Sequence, residues 1–402
     1  MQASAASPTI HTANPPLQRW LYAALALLFS LPLVATTISL TIRHTGALCD
    51  FTAYWGAARI FLAHKNPYAA EPLLTVQRSV GWVDADPIRA YNPPWTLPLF
   101  APFGLLAFYR AKALWLALSL AIELLSALAL WRYFGGAPRA RWIAIAIAFT
   151  FLPLGLTNHY GQITPLILAG LVVFLLLVRA QRWFAAGASL LLALGIKPHL
   201  FWLVAVAVLL WAIQERRWRL LAGALSTFAA AMTAVCIFDP AALHYFGNIY
   251  GRSMDQVCGA GGGLRVLFGR QHTWLQYVPC VPGAAWLFWY WPRHRKAWSW
   301  PEHLPLLLLA SFASSPYSWS VDYVIALPVF IAVAARGAWR SPLVVAAWLI
   351  VQLLIFASPS KGIEAAVSAL WIPFWLLAQS TTIPSPRRAP AESLSVPQPA
   401  HP

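Results

Sequence analysis

Charge is what this chain has little of. Aspartate, glutamate, lysine and arginine make up 10% of its 402 residues, against roughly 25% in a soluble domain. Hydrophobic residues make up 60%. No soluble core of this size buries so much apolar surface, so lipid is the expected solvent. Cysteine is also sparse: Cys49, Cys236, Cys258 and Cys280 form no CxxC and no metal-ligand spacing. Cys49 and Cys258 fall on one side of the topology derived below and are a candidate pair, beside the reading as separate thiols. Paired acids are missing too. Asp84-x-Asp86 matches a DxD pattern only formally, in a loop read as a solvated turn, so no metal and no cofactor is expected. No internal repeat is present, which argues against a repeat-built transporter. The net charge of +16 raises the question of nucleic acid. The bases, however, sit in small groups between apolar runs without a continuous stripe, so no nucleic-acid partner is expected.

What is present is a succession of apolar runs. A bilayer core takes about 20 apolar residues per helix, fewer where a helix is short or broken. Candidate spans are 20–42, 113–131, 142–158, 162–178, 183–196, 199–213, 218–238, 271–291, 303–315, 321–335, 342–357 and 362–379, about twelve in all. The first is too long for the apolar region of a cleaved signal peptide and reads as an uncleaved anchor. The segment 95–109, with Pro98 and Pro102, reads as a half-helix feeding into the next span. The expected fold is therefore all-α and polytopic. Residues 20–382 form one transmembrane domain between Pro-, Ser- and Ala-rich tails at 1–19 and 383–402 that read as disordered.

Charge assigns the sides. Arg132, Arg139 and Arg141, Arg179 and Arg182, Arg216, Arg217 and Arg219, Arg293, Arg295 and Lys296, and Arg336 and Arg340 occupy alternate connections. Cytoplasmic loops are enriched in Lys and Arg, so these connections and both tails are read as cytoplasmic. An outside turn is then required at Lys197-Pro198. The stretch 43–94 becomes a large first extracytoplasmic loop, and it carries four of the twelve acids, Asp50, Glu71, Asp84 and Asp86. Within it, Phe51 to Leu62 reads as an aromatic helix with Asp50 as N-cap, lying in the interface. Residues 71–80 are a second helix candidate.

The polar oddities of the sequence then gather at one face: Asp50, Tyr91-Asn92, Asn158 to Gln162, Lys197-Pro198-His199, Arg265, Arg270, His272, Ser315 to Trp319, Asp322 and Lys361. Ionisable groups at membrane depth are costly and usually functional. One carboxylate among several cations beside lipid suits transfer from a lipid phosphate. The carboxylate accepts the proton of an acceptor hydroxyl, and cations stabilise the departing phosphate.

These residues also carry a resemblance. Asp50-Phe51-x-x-Tyr54-Trp55-x-Ala57-Ala58, Asn66-Pro67-Tyr68 and Tyr91-x-Pro93-Pro94 are followed by Asn158-x-x-Gly161-Gln162, Ile196-Lys197-Pro198 and Ser315-Pro316-Tyr317-Ser318-Trp319. In this order and spacing the chain resembles glycosyltransferase family 87, integral-membrane enzymes of the GT-C class. One departure is His64, where the family often has glycine. The resemblance implies an inverting transfer of a sugar, typically mannose, from a polyprenyl-phosphate donor to a lipid or glycan acceptor at the extracytoplasmic face of the cytoplasmic membrane. By position Asp50 is the base. Lys197 and His199, with Arg265, Arg270 and Lys361 behind them, are the candidate donor-phosphate ligands. Tyr54, Trp55, Tyr91, Asn158, Gln162, Trp319 and Asp322 are the candidate sugar and acceptor contacts. Each has a structural alternative: Asp50 and Asp322 as helix caps, Lys197 as a snorkelling lysine, Asn158 and Gln162 as interhelical bridges. Arg216 to Arg219 read as a topological anchor, and Glu123 as the partner of a neighbouring helix. The rival functions are a flippase for lipid-linked sugars and a non-catalytic membrane subunit.

Overall fold

The computed structural model describes residues 49–253 and 259–336, together with Trp348 and Gln352. The anchor 20–42, the span 342–357 apart from Trp348 and Gln352, the span 362–379, both tails, Cys258 and Lys361 lie outside the described residues. What is described is all-α: fifteen α-helices linked by short 3-10 turns. They are α1 (Cys49–Leu62), α2 (Ala70–Arg78), α3 (Leu97–Gly104), α4 (Phe108–Tyr133), α5 (Trp142–Thr150), α6 (Leu152–Tyr160), α7 (Thr164–Arg179) and α8 (Trp183–Gly195). There follow α9 (Trp202–Gln214), α10 (Trp218–Phe238), α11 (Ala241–Ser253), α12 (Gly259–Phe268), α13 (Cys280–His294), α14 (Trp300–Ala313) and α15 (Leu327–Ala335).

Two of these helices, α4 and α10, are long and apolar enough to cross a membrane, and the α5–α6 pair makes a third if its 52° bend is one broken span. The bend falls at Phe151, two residues before Pro153. Proline has no N–H to give and its ring crowds the carbonyl four residues back, so an unbroken helix cannot run through it. Shorter apolar helices stand where 162–178, 183–196, 199–213 and 321–335 are expected to span. They are shorter because polar turns at Gln162, at Lys197 and around Asp322 take residues from the helix ends. The run 271–291 divides into a 3-10 turn, Thr273–Tyr277, and α13. The half-helix expected at 95–109 is found as α3, separated from α4 by the extended backbone of Ala107.

Glycine sets the closest helix contacts. A Cβ on Gly187 of α8 would run into the carbonyl oxygen of Leu220 on α10, and one on Gly223 of α10 into the carbonyl oxygen of Phe184 on α8. Small residues let backbones meet in this way where apolar side chains gain nothing by leaving lipid. Outside this contact α10 leaves Leu225, Phe228 and Ile237 exposed, as a lipid-facing side would.

One expectation for the first loop is corrected. Helix α1 does not lie on a surface: Phe51 through Ala58, Ile60 and Phe61 are all buried. Phe51 packs against Phe103, Phe108 and Trp115, and Tyr54 stacks on Phe100 at 4.8 Å. On the other side Gly56 faces Leu73 of α2. Phe51, Tyr54 and Trp55 share one face, and the return segment α3 with the start of α4 covers it where the interface was expected, while the small Gly56 on another side lets α2 approach. The helix also includes Cys49, so Asp50 lies in its first turn and is not its cap.

Candidate active site

Four residues from four distant parts of the chain form one line of contacts. Each is delivered by the end of a helix. Asp50 sits in the first turn of α1. Gln162 follows α6, where Gly161 takes left-handed backbone (φ 67°) and the Gln162 N–H returns to the Thr157 carbonyl at 2.9 Å. A glycine at that position is the ordinary way to end a helix and turn the next side chain aside. Lys197 follows α8, because a residue before proline is driven out of helical backbone and Pro198 comes next. Asp322 lies in the 3-10 turn Ser320–Ala326 that leads into α15.

Gln162 is the central link. Its amide nitrogen donates a short hydrogen bond to Asp50 Oδ2. Its Oε1 accepts from Tyr54 OH at 3.3 Å and from Lys197 Nζ at 3.4 Å. The amide cannot be reversed, since that would set its oxygen against a carboxylate and its nitrogen against an ammonium. Lys197 Nζ in turn makes an ion pair with Asp322 Oδ1 at 2.6 Å, the lysine side chain 13% exposed and the aspartate 0%. Asp322 Oδ2 accepts the Trp319 backbone N–H at 2.9 Å, which locks the carboxylate to its own turn.

Asp50, in the stretch the sequence reads as a loop, has its carboxyl pushed up from the usual carboxylate range to about 6. Burial is the main cause. Lys197 and the Gln162 hydrogen bond pull the other way, and Asp322 adds to the rise. Such a group is ionised at neutral pH and still basic enough to take a proton. Burial also pushes the Cys49 thiol up to about 12, helped by Asp50, so the thiol beside the carboxylate stays protonated.

His199 stacks on Tyr317 with ring centroids 3.9 Å apart, beside the line and not in it. Tyr54 is buried, with its hydroxyl on Gln162. Trp55 is buried as well: its indole N–H donates to the Leu106 carbonyl at 3.1 Å, and its ring packs against Phe108. Its ring is taken up in packing between α1 and α4. Tyr91 lies exposed on the loop and Trp319 half-buried at the turn holding Asp322. Asn158 donates from Nδ2 to Glu123 Oε2 at 2.8 Å, bridging α6 to α4 as the structural alternative expects. Arg265 turns its guanidinium onto the Arg270 carbonyl (3.0 and 2.6 Å) and onto Gln276 Oε1 (2.6 Å), bracing the segment after α12, and Arg270 itself is exposed.

Two supports have no sequence signal. The indole N–H of Trp115 donates to the Gly161 carbonyl at 3.0 Å, and Thr157 Oγ1 donates to the Val321 carbonyl at 3.2 Å. The first holds the Gln162 turn, the second ties that turn to the segment bearing Asp322. A tryptophan or threonine within an apolar run looks like any other residue of a span.

A family model matches residues 91–316: glycosyltransferase family 87. The match covers more than half of the chain. The chain belongs to glycosyltransferase family 87. No curated protein and no solved structure matches it. Family 87 membership makes the chain a membrane glycosyltransferase, with a sugar donor and an acceptor as its substrates. The matched segment contains Gln162 and Lys197 but ends before Asp322 and begins after Asp50. The contacts through Gln162 therefore carry Asp50 into the family 87 segment by geometry and not by the match.

Proposed function

We propose that this family 87 enzyme transfers a sugar, mannose, from a polyprenyl-phosphate donor to a lipid or glycan acceptor with inversion. The reaction takes place on the extracytoplasmic face of the cytoplasmic membrane. The observation that carries the reading is the contact from Asp50 through Gln162 to Lys197, which puts a base and a cation on the two sides of one carboxamide. With Gln162 holding Oδ2, the other oxygen of Asp50 takes the proton from the acceptor hydroxyl. The acceptor oxygen then bonds to the anomeric carbon. The bond from that carbon to the phosphate oxygen breaks, and its electron pair leaves on the phosphate. Lys197 offsets the charge developing there, with His199 beside it. A lipid phosphate is already a stable anion, so no general acid is needed.

The sidedness reading is supported by helix direction. Helix α7 begins beside Gln162 and ends at Arg179, α8 runs from Arg182 towards Lys197, and α15 runs from the Asp322 turn to Arg336. Gln162, Lys197 and Asp322 lie at one end of these three helices and the arginines at the other, the charge arrangement of cytoplasmic anchors opposite an outer site.

The test is purified protein in lipid with radiolabelled polyprenyl-phosphate mannose and a membrane-lipid acceptor extract. Label should appear in a new glycolipid with wild type and not with Asp50→Asn. Transfer by the Asn variant at a wild-type rate would remove Asp50 as the base. Transfer from a nucleotide sugar in place of the lipid donor would remove the donor class.

A further inference from the structure

The sequence places Asp322 among the sugar and acceptor contacts, and the structure gives it other surroundings. Its carboxylate is fully buried, one oxygen on the Lys197 ammonium at 2.6 Å and the other on the Trp319 N–H at 2.9 Å. The turn is fixed further by the Asp322 N–H on the Trp319 carbonyl at 2.9 Å and by Thr157 on the Val321 carbonyl. Asp322 is thus a rigid charge. Lys197, on a long flexible stem after a helix break, is the movable one. Its ammonium lies between two carboxylates. It touches Asp322, and only Gln162 stands between it and Asp50.

We propose that Asp322 is a positioning residue: a fixed counter-ion whose task is to keep the Lys197 ammonium off the Asp50 carboxylate. This rests on the reading of Asp50 as the base. A carboxylate paired directly with a lysine holds its proton poorly and is a weak base. With Lys197 drawn aside to Asp322, Asp50 keeps one neutral donor, Gln162, and keeps its basicity. The titratable groups around Asp50 are Cys49 and Tyr54 of its own helix, Tyr160 at the end of α6, Lys197 and Asp322. His199 faces the Lys197–Asp322 pair. Among these, Lys197 acts on Asp50 more strongly than Asp322 does, and with opposite sign.

That ordering gives two variants with opposite outcomes. Asp322→Asn keeps an oxygen for the Trp319 N–H but removes the charge, and Lys197 should swing to Asp50. The acid limb of kcat/KM should move down by about one pH unit, with a fall in kcat at neutral pH. Asp322→Asn combined with Lys197→Gln removes both charges and strands neither, so it should accumulate even if the single variant does not fold. Its acid limb should move above that of wild type. A merely structural Asp322 would lower yield and leave the limb in place. A sugar or acceptor contact would raise a substrate KM and leave the limb in place. Either result in Asp322→Asn overturns the inference, and so does a double variant whose acid limb stays at or below that of wild type, since Lys197 would then exert no pull on Asp50. Asp50→Asn, assayed alongside, separates the two levels. Loss of transfer there with unmoved limbs in the other variants overturns this inference alone, and persistence of transfer overturns the base assignment and this inference with it.

Discussion

Asp50 carries a charge in a place that resists it. Its carboxyl is raised to about 6 from an ordinary 3.8, with burial as the leading cause. A group raised on folding contributes stability while protonated, and that contribution is lost as pH climbs through its folded value. At pH 7 the ionised carboxylate is therefore a strain on the fold, and Asp50→Asn should leave the thermal midpoint unchanged or higher. The same change removes the base and should lower turnover at least about 100-fold, the lower end of what general bases supply. The pH dependence has the opposite sense to the stability effect. The base works only when unprotonated, so kcat/KM of wild type should fall off below about pH 6, the folded value of this carboxyl. A rate profile flat down to pH 5 would contradict the assignment. Gln162→Glu provides a further check at this scale. It would place a third carboxylate between Asp50 and Lys197, capture the lysine and unsettle the base, so turnover should drop without loss of membrane insertion.

Among the elements, two contacts decide whether the site's helices hold their places. Helices α8 and α10 meet backbone to backbone at Gly187 and Gly223, where an added Cβ would strike a carbonyl oxygen of the other helix. Gly187→Leu or Gly223→Leu should force α8 away from α10, displace Lys197 at its end, and lower the yield of monodisperse protein in detergent. Small-to-large changes in tight packing typically cost 1–3 kcal/mol. The second contact closes the far end of α1. His64, a departure from the resemblance drawn from the sequence, has left-handed backbone, φ 55°. A non-glycine residue there costs about 1–2 kcal/mol. The side chain supplies a return that glycine cannot: Nδ1 lies 2.7 Å from the Phe238 carbonyl at the end of α10, and its ring stacks on Phe238. His64→Gly exchanges strain for contact and should change the thermal midpoint little. His64→Val keeps the strain, loses the contact, adds β-branching and should lower it clearly. The sequence marked His64 as a departure from the family pattern. It contained no sign that the partner would be Phe238, 174 residues away.

At the scale of the molecule, the claim is one of sidedness. Gln162, Lys197 and Asp322 lie at one end of α7, α8 and α15, and Arg179, Arg182 and Arg336 at the other. In a cysteine-free background, Tyr91→Cys on the exposed loop should react with a membrane-impermeant maleimide added to intact cells. A cysteine at Arg216, where the backbone turns between α9 and α10, should react only after the membrane is opened. The reverse pattern would invert the topology and put the site in the cytoplasm. Elements were legible at this scale where composition was decisive: α10 has the bounds 218–238 expected from hydropathy. They were less legible around the site. The α5–α6 pair is broken just before Pro153 and the short helices ending before Gln162 and Lys197 have lengths set by polar turns, and hydropathy averages across both.

Two things followed from the residues alone. Scarcity of charge with a surplus of apolar residues dictated an all-α chain in lipid, because lipid leaves a backbone few ways to bond except helices. The motifs around Gln162 and Lys197 pointed to the family, because local chemistry is written in order along the chain. The tertiary structure alone decided which of the candidate residues meet. It turned Trp55, Asn158 and Arg265 to packing and bracing, buried α1 where an interfacial helix was expected, and made Asp322 the partner of Lys197. Those outcomes depend on how helix ends far apart in sequence are brought together, and contacts between them across 112 and 125 residues, as for Asp50 with Gln162 and Lys197 with Asp322, leave no local pattern to read.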